Sequence, residues 1–186
     1  MRAQLLTAIE LFFADADPVS VHTLAGASRE MLESLCRIEG IEPMTDFILR
    51  DHPGRRREDI WNAMNLYRNC FKHVGKTAEE RAVDQSTLSQ FSETDNDFLL
   101  YVCVEDYVRL RHAMPVDFQV LHAWFADVHM DLQLDPSRVE SFRRLFPGMA
   151  QQSRVEQKRR GGETIRAWAH NRELLADPQT EPRDLT

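Results

Sequence analysis

Apolar residues recur along this chain at helical spacing, and no stretch alternates in the manner of a strand or hairpin. Leu5, Ile9, Phe12, Phe13 and Ala16 share one face of a first helix. Asp17-Pro18 reads as N-cap and first-turn proline of a second helix reaching about Arg37. The small residues Ala25 to Ser28 within it invite close approach by a neighbour, and Gly40 ends the pattern. Pro43 to Leu49 is predicted as a short helical turn, with His52-Pro53-Gly54 as a break. A third long helix is predicted from about Pro53 to Val74. Its core stripe is Ile60, Met64, Tyr67, Phe71 and Val74, at i, i+4, i+7, i+11 and i+14. Gly75 follows at the C′ position. Lys76 to Phe91 is polar, lacks a sustained stripe, and reads as loop or weakly ordered chain.

The second half continues the pattern. A fourth helix opens near Thr94, whose hydroxyl is predicted to cap while Asp97 takes the third helical position, and runs to about His112. Pro115 opens a fifth, with Phe118, Leu121, Phe125, Val128 and Leu132 as its stripe. Asp135-Pro136 repeats the cap-plus-proline signal for a short sixth helix ending before Pro147. A last helical stretch, Gln151 to Leu175, is predicted to be interrupted at Gly161-Gly162. The expected fold is an all-α antiparallel bundle of about five core helices over residues 1–133. A C-terminal helical extension, 134–175, packs on it, and the polar, proline-containing tail, 176–186, is expected to be disordered.

Length and composition agree with one ordinary domain able to bury a sizeable core: 186 residues, 42% hydrophobic and 28% charged. No apolar run approaches the roughly 18 to 20 residues that span a bilayer, so no membrane partner is expected. Acidic residues interrupt the short apolar stretch near Met1, which reads as helix and not as a leader. Cys36, Cys70 and Cys103 are odd in number and widely separated, which disfavours a disulfide framework or a CxxC zinc site. All three are expected to be small buried hydrophobes in a reducing, cytoplasmic setting.

A net charge of −7 argues against nonspecific coating of nucleic acid. The charge is uneven, however. From Arg50 to Lys76 there are seven Lys/Arg against three acids, a local +4 that leaves −11 for the rest. Arg55, Arg56 and Arg57 stand at the start of the third long helix, where the macrodipole favours acids, so phosphate or an acidic neighbour is a candidate reason for them. The same helix carries Asn62, Asn65, Asn69 and His73 broadly on its polar side, with Arg68 on the flank of the stripe. Solvated faces are usually built from Glu–Lys pairs, so an Asn/Arg/His face points to a partner or a polar ligand.

Arg68 to His73, RNCFKH, resembles the signature of the HEPN superfamily: an arginine, a polar residue that is often Asn, a short spacer and a histidine. HEPN domains are compact all-α bundles, and many are metal-independent endoribonucleases of toxin–antitoxin or defence systems. Others are non-catalytic binding domains. The resemblance implies His73 as acid/base, Arg68 as phosphate clamp and Asn69 as polar positioner; beside them, the basic residues of the segment, Arg55, Arg56, Arg57 and Lys72, are the candidates for touching RNA phosphates. It further implies a homodimer bringing two motifs into one cleft, RNA as substrate, an antitoxin or other protein as partner, and no cofactor. The chemistry suits these types. A histidine titrating near neutrality can move the 2′-hydroxyl proton, and an arginine gives bidentate charge to phosphate oxygens. On an ideal helix positions 68 and 73 lie about 140° apart, so meeting at one phosphate requires arginine's reach, an unwound last turn or a second subunit. Two residues after the histidine, where some subfamilies carry tyrosine, this chain has Gly75. The alternative is a non-catalytic interaction module that uses the same face to dimerise or bind a partner.

Other features have plainer readings. His22 reads as polar surface. His122 and His129, with Asp127 and Asp131 nearby, lack the Glu-x-x-His motif of di-metal bundles, and no metal is expected. Gln157 to Gly162 reads as a solvated basic run, and Trp61, Trp124 and Trp168 as core or interface aromatics. No Gly-rich phosphate loop, nucleophile elbow or zinc-protease motif is present.

Overall fold

The structure, a computed structural model, describes residues 1–54, 56–111, 113–129 and 145–182. Expectations for Arg55, Asp131, Leu132, the helix opening at Asp135-Pro136 and residues 183–186 lie outside the described residues. The described elements are α1 Arg2–Phe13, α2 Pro18–Ile38, α3 Met44–Asp51, α4 Arg57–Lys72, α5 Ala78–Leu88, α6 Asp95–Arg111, α7 Val116–Val128, a 3-10 turn Met149–Gln151, α8 Arg154–Trp168 and α9 Arg172–Leu175. The fold is an all-α helical bundle. No helix among the described residues is long and apolar enough to cross a membrane.

Asp17 starts α2 as the sequence predicts, its carboxylate accepting from the backbone N–H of Val19 and Ser20 ahead of Pro18. The bundle centre is α2 against α1 and α6, with α7 closing over α1 and α6. Leu5, Ile9 and Phe12 of α1, Leu100, Cys103 and Tyr107 of α6, and Phe118, Leu121 and Trp124 of α7 are all buried in one cluster. Phe12 and Phe13 meet the Trp124 ring edge-on at 5.2 and 5.7 Å between centroids. α7 is buried nearly all round, since Asp117, His122 and Asp127 are buried along with its apolar stripe.

The C-terminal segment shares this core, to which it contributes Phe146 and Met149. Gly161-Gly162 does not interrupt α8, which runs from Arg154 to Trp168. A Cβ on Gly161 would lie 2.2 Å from Phe13 Cε1, so the missing side chain admits the ring while packing holds the helix. Of the basic run, Arg159 is exposed as expected, but Lys158 turns inward: it is 4% exposed and pairs with Asp15 at 2.7 Å and with Glu93. The tail is anchored as far as Pro182. Thr180–Glu181 (β2) pairs in parallel with Met114–Pro115 (β1), and the Glu181 carboxylate takes the Tyr107 hydroxyl and Arg2.

Two further expectations change. The polar stretch after Gly75 contains α5, started by a complete capping box of Thr77 and Glu80. None of its residues is buried, which is why no apolar stripe marks it. At α6 the expected Thr94–Asp97 cap is absent. Thr94 Oγ1 bonds Ser92 Oγ at 2.8 Å, and the Asp97 carboxylate binds His129 and Arg154.

Candidate functional site

α4 lies across α2, and its polar residues make that contact. Ile60 is buried, but Val74, the last residue of the predicted stripe, is 80% exposed beyond the helix end. Asn65, predicted on the open side, is 1% exposed. Its side-chain oxygen accepts from Arg29 Nη2 at 2.8 Å, and its amide donates to the Trp61 carbonyl. Arg29 is fully buried on α2 and also pairs with Glu33 at 2.7 Å.

Arg68 enters the same seam. It is 8% exposed, and both terminal nitrogens bind the Glu30 carboxylate. Its aliphatic part crosses Gly26, where a Cβ would sit 2.8 Å from Arg68 Cδ. Burial, and then the neighbouring Arg29 charge, push the Arg68 pKa down, so Glu30 is the anion that keeps this cation tolerable. Within the small run of α2, Gly26 thus gives its space to an arginine side chain, while the fully buried Ala25 lets α6 approach, its carbonyl accepting from Cys103 Sγ at 3.4 Å.

His73 is placed differently. It is the exposed residue after α4, in extended conformation, its N–H donating to the Asn69 carbonyl at 3.0 Å. Asn69 and Lys72 are exposed on the last turn. The structure therefore does not bring Arg68 and His73 together within the protomer: one is enclosed against α2 by Glu30, the other stands in solvent. Arg56 is bound to Asp59 at 2.8 Å and Arg57 to Asp46 at 2.6 Å, so both described members of the arginine cluster have acidic neighbours. Gly75 is not in the left-handed conformation of a C′ glycine. It serves close approach, since a Cβ there would lie 2.6 Å from Glu80 Cβ.

His22 is buried, not surface: it is 4% exposed. Its ring meets those of Tyr67, Phe71 and Phe91 edge-on at 5.3 to 5.9 Å. Nδ1 lies 3.0 Å from the Asn96 side-chain oxygen, and the Asn96 amide donates to the Pro18 carbonyl at 3.1 Å. That second bond fixes the Asn96 flip, so His22 Nδ1 carries the proton and Nε2 the lone pair. Burial pushes the His22 pKa down, which keeps the ring neutral. Nε2 has no hydrogen-bond partner.

Beside His22 is a cavity of about 480 Å³ between α3, α4 and the start of α6. The sequence held one signal for this face: His22, Gly26, Arg29 and Glu33 repeat at i, i+4, i+7 and i+11, the spacing of a buried stripe with polar occupants. Elsewhere, His122 is held by Glu105 at 2.6 Å and His129 by Asp97 at 2.9 Å, two separate carboxylates. Among the described residues, no three His, Cys, Asp or Glu gather as metal ligands. Cys36 and Cys103 are buried and Cys70 half-buried, all three free thiols.

No family model matches the chain, and the curated proteins and the solved structures yield no significant match.

Proposed function

We propose that this chain is a non-catalytic helical interaction module, with the motif-bearing helix serving the architecture and its outer side serving a partner. One observation carries the reading: Arg68 is committed to Glu30 at the α2–α4 seam, while His73 faces solvent past the helix end. A guanidinium already neutralised by a carboxylate is a weak clamp for a second anion. The hairpin of α4 and α5 also leaves Trp61 (45%), Leu66 (46%), Val74 (80%) and Val83 (65%) exposed, apolar area that association would remove from water. The partner this reading takes is a second copy of the chain. Sedimentation equilibrium of the parent is expected to give a dimer, and Leu66→Asp a monomer. A parent that stays monomeric up to high micromolar concentration removes the self-association form of this reading.

A second reading, the metal-independent endoribonuclease, is favoured by the exposure of Asn69, Lys72 and His73 together at one end of α4, open to a second protomer. It requires Arg68 to exchange Glu30 for an RNA phosphate, or another cation to act as clamp; an antitoxin would then be a partner that covers this end. Incubating single-stranded RNA in EDTA with the parent and with His73→Ala separates the two. Cleavage by the parent alone supports the ribonuclease; equal or absent cleavage leaves the interaction module.

A further inference from the structure

We propose that the cavity between α3, α4 and α6 is a binding site for a small organic amine, an ammonium group on an aromatic or aliphatic body. The proposal does not depend on whether the α4–α5 surface binds a protein or the chain cleaves RNA. The cavity, about 480 Å³, falls in the range of small-molecule sites. Its walls are mainly apolar and aromatic, among them Ile60, Met64, Tyr67, Phe98 and Tyr101.

Three features select the ligand's chemistry. First, His22 is a wall residue whose Nε2 lone pair is buried without a partner, while Asn96 keeps the proton on Nδ1. An unpartnered acceptor at a cavity wall calls for a donor from whatever fills the space. Second, the charged wall residues are carboxylates. Asp95 is half-buried at the first turn of α6 and close enough to act electrostatically on both His22 and Tyr67. Asp59, an exposed wall residue, is already bound by Arg56. Among the described residues no lysine or arginine lines the cavity; besides His22 its imidazole is that of His52, and the carboxylates an ammonium group would meet are Asp59 and Asp95. Third, Tyr67, Phe98 and Tyr101 offer ring faces and edges on which an alkylammonium or aryl body can rest. A purely apolar ligand would leave the His22 lone pair as it stands; a neutral alcohol would satisfy it but not use Asp95.

The test uses the full chain and three probes with one phenyl body: 2-phenylethylamine, 2-phenylethanol and 3-phenylpropanoate. Binding is followed by calorimetry and by the imidazole nitrogen resonances of His22. The amine is expected to bind about tenfold more tightly than the alcohol and to shift Nε2 in the direction of an accepted hydrogen bond, with the carboxylate not binding. Asp95→Asn is expected to lower amine affinity about tenfold and leave the alcohol's unchanged, the signature of a lost charge rather than lost shape. His22→Phe keeps an aromatic ring and removes the acceptor, so both donor-bearing probes should weaken. Where that variant fails to fold, Met64→Trp, which fills the cavity from α4, should abolish amine binding instead. No Nε2 shift with millimolar amine, or equal affinities for amine and alcohol, overturns the proposal.

Discussion

Arg68 of α4 and Glu30 of α2 are joined through both terminal guanidinium nitrogens, across 38 residues of sequence. The pair closes a seam that already holds the fully buried Arg29 and its partners Glu33 and Asn65. Glu30→Gln removes the compensating charge and leaves Arg68 largely enclosed beside Arg29. A loss of about 1 to 3 kcal/mol of stability is expected, the range for orphaning a buried polar or charged group. Urea denaturation of parent and variant measures it. A change within a few tenths of a kcal/mol would mean that the arginine finds water freely and is not held by this contact.

Gly26 gives the same seam a second, independent reading. Alanine in mid-helix is intrinsically better than glycine by about 1 kcal/mol. Here, however, its Cβ would sit 2.8 Å from Arg68 Cδ, and Arg68 is held by Glu30. Gly26→Ala alone is therefore expected to be neutral or destabilising, and to become stabilising by about 1 kcal/mol in an Arg68→Ala background. The cycle isolates the coupling, and additive effects of the two substitutions would deny it.

At Gly161 the neighbour is rigid. A Cβ would meet three Phe13 ring atoms at 2.2, 2.5 and 2.9 Å, and Phe13 is itself locked among Phe12 and Trp124. Gly161→Ala is expected to cost about 2 kcal/mol despite the better helix former, because the ring must leave its place. Thermal unfolding reads this directly. Combining it with Phe13→Leu should recover part of the loss, and a neutral Gly161→Ala would show that α8 does not rest on that ring.

These glycines mark where sequence reasoning stops. Asp17-Pro18 is a local signal and gave α2 its start. The periods of α1, α6 and α7 gave the all-α fold. Gly161-Gly162 looks like a break because the sequence shows low helix propensity and not the Phe13 ring that occupies the space; Gly75 does follow the end of α4, but what requires it is the nearby α5 backbone and not a left-handed turn. α5 was legible through Thr77-x-x-Glu80, but a helix with no buried residue leaves no stripe. Around the motif, residues 68 to 73 announced polarity and not its use. Nothing local says that Arg68 will meet Glu30, or that His22 will be fixed by Asn96 across 74 residues. Pairings of that kind are set by how whole helices dock.

Asp106 of α6 makes the fold's stability depend on pH in a direction opposite to its paired acids. It is fully buried, its Oδ1 accepts the Met44 N–H at 2.6 Å, and Oδ2 has no hydrogen-bond partner. Burial pushes its pKa up from 3.8 to about 6; the Met44 N–H, Arg109 and Arg29 oppose this, and Glu33 adds to it. Cys36 Sγ also lies against the Asp106 carbonyl. Because the folded pKa is the higher one, the native state holds a proton that the unfolded chain has released between about pH 4 and 6. Stability from this group therefore falls as pH rises through that window, and the full cost, about 3 kcal/mol, is present above it. Glu93 and Asp46, whose pKa values are lowered, lose stability on acidification instead, so the parent's own profile mixes the two. Asp106→Asn keeps an oxygen for the Met44 N–H and cannot ionise. The stability difference between variant and parent is expected to move in the variant's favour as pH rises from 4 to 7, measured by urea denaturation at several pH values. A difference that is flat across that range would place the Asp106 carboxyl in contact with solvent and remove this account of its burial.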